Sequence, residues 1–157
     1  IFLGKIGSPV DEELIEKTHK ILMQGIRDDA GEYARHKRAI RGVDLILPSS
    51  DDIPEEMRIF LSKVNNLQRH PIEHIARMHA DFEAIHPFGD GNGRIGRLIM
   101  IIQLINRGFA PCIISVNEKA RYYESLEYAQ KKSETHFVYF LAEAVLKGYE
   151  LIGKGCK

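Results

Sequence analysis

The stretch Leu98-Ile99-Met100-Ile101-Ile102-Gln103-Leu104-Ile105 carries a single polar side chain. Wound at 3.6 residues per turn it is apolar nearly all round, and such a helix needs neighbours on most sides. It is therefore expected to be the central helix of its domain. The remaining segments should be amphipathic covers, and their periodicity supplies them. Pro9 and Asp11 open a segment bearing Leu14, Ile15, Ile21 and Leu22 that ends near Gly25. Asp51-Asp52-Ile53-Pro54-Glu55-Glu56 reads as a helix start, with proline and acids at the positive end of the dipole. Met57, Phe60, Leu61 and Val64 form the face that follows, stopping near Asn65-Asn66.

His70-Pro71 opens the next helix, whose stripe is Ile72, Ile75, Ala76, His79, Phe82 and Ile85. Gly108 and Pro111 end the apolar helix. Ser115 and Glu118 form a capping box for a helix through about Lys131, and a last helix runs from roughly Thr135 to Ile152. Gly31 to Pro54 is the least helical part, and alternation around Ala39-Ile40-Arg41-Gly42-Val43 predicts a short hairpin. The expected fold is all-α: about six helices and one small β-hairpin. At 157 residues the chain is most simply one domain, long enough to bury a real core.

The 22 basic and 22 acidic side chains balance, so no whole-surface attraction to nucleic acid or to an anionic membrane is expected. No apolar run is long enough to span a bilayer. Cys112 and Cys156 fit neither a disulfide framework nor a zinc ligand set. Cys112 should be a buried thiol, and a reducing compartment is the default: the cytoplasm, or a host cytoplasm if the protein is a delivered effector. The chain opens at Ile1 with no basic-then-apolar leader, which suggests a trimmed piece of a longer protein.

Directly ahead of the apolar helix lies His86-Pro-Phe-Gly-Asp-Gly-Asn-Gly-Arg-Ile-Gly-Arg97. Gly91 and Gly93 let backbone N–H groups approach an anion, and the N-terminus of a helix carries unpaired donors and about half a positive charge. Arg94 and Arg97 lie three apart, so both forks can point along one face toward phosphate oxygens. Asp90 is a hard oxygen ligand for Mg²⁺. His86 titrates near neutral pH and could take a proton from an attacking hydroxyl. No Gly-Lys-[Ser/Thr] follows and no strand precedes, so neither a P-loop nor a Rossmann turn is present.

This window resembles the Fic family. The family pattern His-x-Phe-x-[Asp/Glu]-Gly-Asn-Gly-Arg-x-x-Arg is met in full by His86, Phe88, Asp90, Gly91, Asn92, Gly93, Arg94 and Arg97. His70-Pro71 and Ala80 to Ile85 look like the helix leading into the motif. Gly31 to Pro48 looks like the target-aligning flap, with Ile40, Arg41 and Gly42 at its centre. Arg121-Tyr122-Tyr123 resembles the following helix, whose Tyr122 and Tyr123 help hold the nucleotide base. The resemblance covers residues 10 to 150 and implies a single Fic-type domain.

It further implies transfer of AMP from ATP to a Ser, Thr or Tyr hydroxyl of a target protein, with release of pyrophosphate. His86 is then the general base, and Asp90 holds Mg²⁺ on the α- and β-phosphates. The Gly91-Asn92-Gly93 amides and Asn92 bind the phosphate chain, while Arg94 and Arg97 take the outer phosphates. Gly93 stands where family members that transfer phosphate carry Lys. The inhibitory pattern [Ser/Thr]-x-x-x-Glu-[Gly/Asn] is absent, so an inhibitory helix would come from upstream residues or from a separate small protein. Oligomeric state stays open.

Other readings compete. The motif reads a diphosphate better than what hangs from it, so transfer of phosphate, another nucleotide or phosphocholine is the alternative within the fold. A non-catalytic nucleotide-binding module is another. His70-Pro-Ile-Glu73-His74 spells an inverted zinc-protease motif, although Pro71 suggests that His70 caps the helix. His74 is expected to be exposed, and His79 to pack or hydrogen-bond near the loop. The basic run Arg35 to Arg41 reads as a solvated strand edge or as part of the flap.

Overall fold

A computed structural model describes residues 7–40 and 45–155. Its six helices are α1 (Glu12–Met23), α2 (Ile53–Val64), α3 (Pro71–Ile85), α4 (Asn92–Asn106), α5 (Lys119–Lys131) and α6 (Thr135–Gly155), and a 3₁₀ turn, Val116–Glu118, leads into α5. The fold is all-α, as the periodicity predicts. Local chemistry sets the boundaries. The Asp11 side chain accepts from the Leu14 N–H at 2.7 Å and so satisfies an orphan donor at the start of α1. Pro54 and the acids Glu55 and Glu56 occupy the first turn of α2. The Ser115–Glu118 capping box is present, although it closes the 3₁₀ turn first and α5 only behind it.

The hub is α3 rather than α4. It packs against α2, α4, α5 and α6, whereas α4 lies between α3 and α1. On one side of α3 a core of Ile75, Ala76, Met100, Leu104, Phe137 and Leu141 joins α3 and α4 to α6. On the other, Ile15, Met57, Phe60, Phe82, Phe88 and Ile99 join α1 and α2 to the same pair. Leu98, Ile101, Ile102 and Ile105 on α4 are only half-buried. Hydropathy points to α4 because α3 buries polar side chains as well, namely His74, His79 and Glu83. Each lowers the apparent hydrophobicity of a helix that is enclosed on both faces.

No strand occurs among the described residues. The expected hairpin is centred on Arg41 to Asp44, which lie outside them. The limbs on either side, 33–40 and 45–49, carry no regular secondary structure. They are nonetheless attached, because the Ala34 N–H donates to Pro87 O at 2.8 Å. Cys112 is buried and free, as expected, and burial pushes its thiol up to about 11. No described helix is long and apolar enough to cross a membrane.

Gly96 marks where α3 and α4 come closest. A Cβ there would meet Glu83 Oε1 at 2.5 Å and both His79 Cε1 and Phe82 Cδ1 at 3.1 Å. Gly96→Ala should therefore cost about 1–3 kcal/mol, read as a lower urea midpoint at unchanged slope. Gly153→Ala, with nothing within 4 Å of its Cβ, should be neutral or stabilise α6 by up to about 1 kcal/mol. Equal midpoints for the two variants would refute the close-packing argument.

Candidate active site

The window from His86 to Arg97 is the link between α3 and α4. His86 caps α3 in the left-handed conformation, with φ of 50°, and it is the only non-glycine with positive φ among the described residues. Such a backbone costs about 1–3 kcal/mol and persists only where its surroundings hold it. Its N–H donates to Phe82 O at 3.0 Å, and its carbonyl accepts from Arg38 Nε at 2.8 Å. Arg38 also donates to Pro48 O at 2.9 Å and to Ile85 O at 3.4 Å. One buried guanidinium thus fastens both limbs of the 33–48 segment to the end of α3.

The His86 side chain is 17% exposed, and its Nδ1 lies 3.3 Å from Glu83 O and 3.9 Å from Glu83 Oε2. With Nδ1–H donating to that carbonyl, the lone pair sits on Nε2. Burial holds the imidazole pKa below its ordinary value, so the neutral form prevails at pH 7.

The loop is shaped by Asn92. Its Oδ1 accepts from the Phe88 N–H at 2.9 Å, and its Nδ2 donates to Phe88 O at 2.8 Å. Gly91 turns the chain with φ of 80°. Phe88 is buried and stacks on His19 at 3.8 Å between ring centroids. His19 in turn accepts from the Gly31 N–H at Nδ1, 2.9 Å away, so Nε2–H donates to Asp90 O at 3.0 Å. Burial depresses the His19 pKa and keeps this tautomer neutral. The Asn92 side chain is thereby spent on the loop, and what it can offer an anion is its backbone N–H. No described acceptor takes the Asn92 or Gly93 amide, as befits the first turn of α4.

Around these amides stand the charged groups. The Asp90 carboxylate is 59% exposed and 3.8 Å from Arg94, with Oδ1 accepting from the Gly91 N–H at 2.6 Å. Arg94 also reaches Met23 Sδ at 3.3 Å. Arg97 makes no ion pair among the described residues and lies 5.8 Å from the Tyr122 ring centroid. Together with Ile114, Ser115, Val116, Lys119, Tyr122 and Tyr123 it lines a cavity of about 320 Å³. Tyr122 is buried, with its hydroxyl 2.7 Å from His79 Nε2, while Tyr123 is 46% exposed at the rim. Burial pushes His79 down to about 4.

His86, Asp90, Gly91, Asn92, Gly93, Arg94 and Arg97 thus share one corner of the fold, with Tyr122 and Tyr123 beside Arg97. Ile40 sits apart, half-buried on the limb beyond Arg38, where it lines a neighbouring cavity of about 630 Å³. Arg41 and Gly42 lie outside the described residues. Sequence reasoning missed His19, Arg38 and Glu83. Only Glu83 gave a signal, as a carboxylate inside an apolar stripe one turn before His86.

The zinc-protease spelling dissolves. His70 is the N-cap of α3, its Nδ1 accepting from the Ile72 N–H. His74 is buried rather than exposed, with Nε2 on Val64 O at 3.1 Å. It faces into the α2–α3 contact, which the polar flanks of its sequence do not announce. No group of three or more His, Cys, Asp or Glu side chains placed to hold a metal occurs among the described residues.

Comparison with known proteins shows what the chain is similar to. The sequence profile of the Fic/DOC family matches residues 9–104. The protein adenylyltransferase Fic of Nematostella vectensis is 34% identical over 135 residues, which cover 83% of this chain and 31% of that protein. That of Aedes aegypti is 30% identical over 143 residues, covering 89% of this chain and 28% of the relative. The chain therefore spans less than a third of either. A Fic family protein from Desulfovibrio desulfuricans G20 superposes with a TM-score of 0.78 at 29% identity, over 94% of this chain and 48% of that one.

The Asn92 bracket gives a direct test. Asn92→Ala strands both backbone groups of the buried Phe88, at about 1–3 kcal/mol for each group left unpaired. Thermal melting should show the loss even without nucleotide. An unchanged melting temperature would mean that the loop holds itself.

Proposed function

This chain belongs to the Fic/DOC family, and we propose that it is a protein adenylyltransferase, moving AMP from ATP to a Ser, Thr or Tyr hydroxyl of a target protein. One observation carries the reading. A neutral histidine with its lone pair on Nε2 stands at one end of a loop whose other end presents unpaired helix amides flanked by two arginines. That is a base beside an anion cradle, the pairing that attack by a hydroxyl on a polyphosphate requires.

In the proposed reaction the target oxygen bonds to the α-phosphorus, and the bond from that phosphorus to the bridging oxygen breaks. His86 Nε2 takes the hydroxyl proton, and pyrophosphate leaves. The Asn92 and Gly93 amides bind the phosphate chain, and Arg94 neutralises charge beside it. Arg97, free of ion pairs among the described residues, takes an outer phosphate, or the glutamate of an inhibitory helix supplied from upstream or by a partner protein. Tyr122 and Tyr123 wall the cavity that receives the adenine. The limb carrying Ile40, continued through Arg41 and Gly42, aligns the target segment.

Mg²⁺ fits these residues. Asp90 keeps an oxygen that the Gly91 N–H does not use, and Mg²⁺ commonly takes one or two carboxylates with the rest of its shell from phosphates and water. When bound it would neutralise charge on the phosphate chain.

ATP labelled at the α-phosphate should leave its label on the target, and ATP labelled at the γ-phosphate should not. Retention from the γ-position alone would establish phosphate transfer and sink this proposal. His86→Ala should lower transfer by about 10²- to 10⁴-fold while ATP affinity, followed by calorimetry, stays within twofold or so of wild type.

The pH dependence follows from burial of His86. The base works when unprotonated, so activity falls as pH drops through its pKa. Because that pKa lies below the usual 6.5, the acidic limb of the kcat/KM profile should fall below pH 6.5. A limb above 6.5 would contradict the desolvated base.

A further inference from the structure

Glu83 is buried on α3 at 5% exposure, and its Oε1 has no hydrogen-bond partner among the described residues. Burying an unpaired carboxyl is costly, and no packing need explains it. A side chain with no polar atoms would fill the α3–α4 contact more cheaply. The space is instead cleared for it, since a Cβ on Gly96 would lie 2.5 Å from Oε1 and one on Gly93 would lie 3.7 Å away. Its other oxygen, Oε2, is 3.9 Å from His86 Nδ1, and its own backbone carbonyl is 3.3 Å from the same nitrogen. One residue thus sets both a carbonyl and a carboxylate behind the imidazole.

We propose that Glu83 is a positioning residue for the transfer reaction: its carbonyl fixes His86 in the Nδ1–H form, and its carboxylate steadies the imidazolium that forms when Nε2 takes the target's proton. The inference rests on the reading of His86 as the base. Proton balance is simple. The hydroxyl proton moves to Nε2 and stays on His86, and nothing is transferred to Glu83, whose negative charge offsets the new positive one. Attraction at this separation inside the fold is far stronger than in water.

The charged and titratable groups facing the pair come from every packed element. Arg97 on α4 and Tyr122 on α5 face Glu83. Arg38 on the limb and Asp90 on the loop act on His86. His79, one turn back on α3, lies with Glu83 against Gly96. Burial pushes the Glu83 carboxyl up to about 7, against the pull of Arg97; a positive charge gained by His86 would act in the same direction as Arg97 and favour the carboxylate.

The experiment compares wild type with Glu83→Gln, which keeps shape and removes charge. Transfer of α-labelled AMP is measured against ATP concentration and pH, and the His86 ring is titrated by NMR without ATP. Glu83→Gln should lower kcat about tenfold or more with the KM for ATP within about twofold. The His86 pKa should fall by about one unit or more, the usual effect of removing an opposite charge at this distance. An unchanged His86 pKa overturns the proposal, as does a raised KM at normal kcat, which would assign Glu83 to Arg97.

Wild type supplies a second reading if the variant does not fold. The His86 ring signals should register a further inflection as Glu83 ionises, and a single inflection overturns the proposal. The NMR arms need no turnover. A His86→Ala variant that still transfers AMP would defeat the functional reading and leave the His86–Glu83 coupling measurable.

Discussion

The pairing of the Asn92 side-chain amide with both backbone groups of Phe88 is the interaction on which the corner depends. It folds five residues into a closed turn that rests on α1 through His19. His86 precedes that turn and the α4 amides follow it, so the turn fixes how base and anion site face each other. Phe88 and His19 fill the space beneath it, and His19 holds the Asp90 carbonyl from below. Neutral groups do this work. The charged ones, Asp90, Arg94 and Arg97, are left at the surface for a ligand.

Electrostatics at the site are governed by how deeply each group lies. Burial pushes His79, His19 and His86 toward their neutral forms and Glu83 toward its protonated one. Three neutral imidazoles and a carboxyl pushed toward its neutral form by burial leave the arginines at the rim to attract anions. Had these histidines been protonated, the buried ground under the loop and the α3–α4 contact would hold charges without partners, which is costly.

Much of the fold was legible from periodicity, because apolar spacing and caps such as Asp11 and Ser115–Glu118 are local signals. The motif itself was legible because its chemistry is contiguous, running from His86 to Arg97. The hub was misassigned. Hydropathy scores side chains singly, whereas His74 and His79 are buried through partners on other helices, Val64 O and the Tyr122 hydroxyl, and Glu83 through space left by the α4 glycines. His19 and Arg38 were missed for the same reason. Each acts on backbone atoms 48 or more residues away, and no spacing rule reaches that far. The hairpin that alternation predicts around Gly42 falls on 41–44, outside the described residues.

Among the described residues Arg38 donates only to main-chain oxygens, those of His36, Pro48, Ile85 and His86. Every residue type carries such an oxygen. The anchor is therefore blind to which side chains the surrounding segment displays, and that segment can be rewritten without unfastening it. Under the proposed reading, selection has a free hand there: a lineage can change the protein it modifies through a few surface substitutions. The reacting groups, fixed from the opposite side by Asn92 and His19, are insulated from that drift.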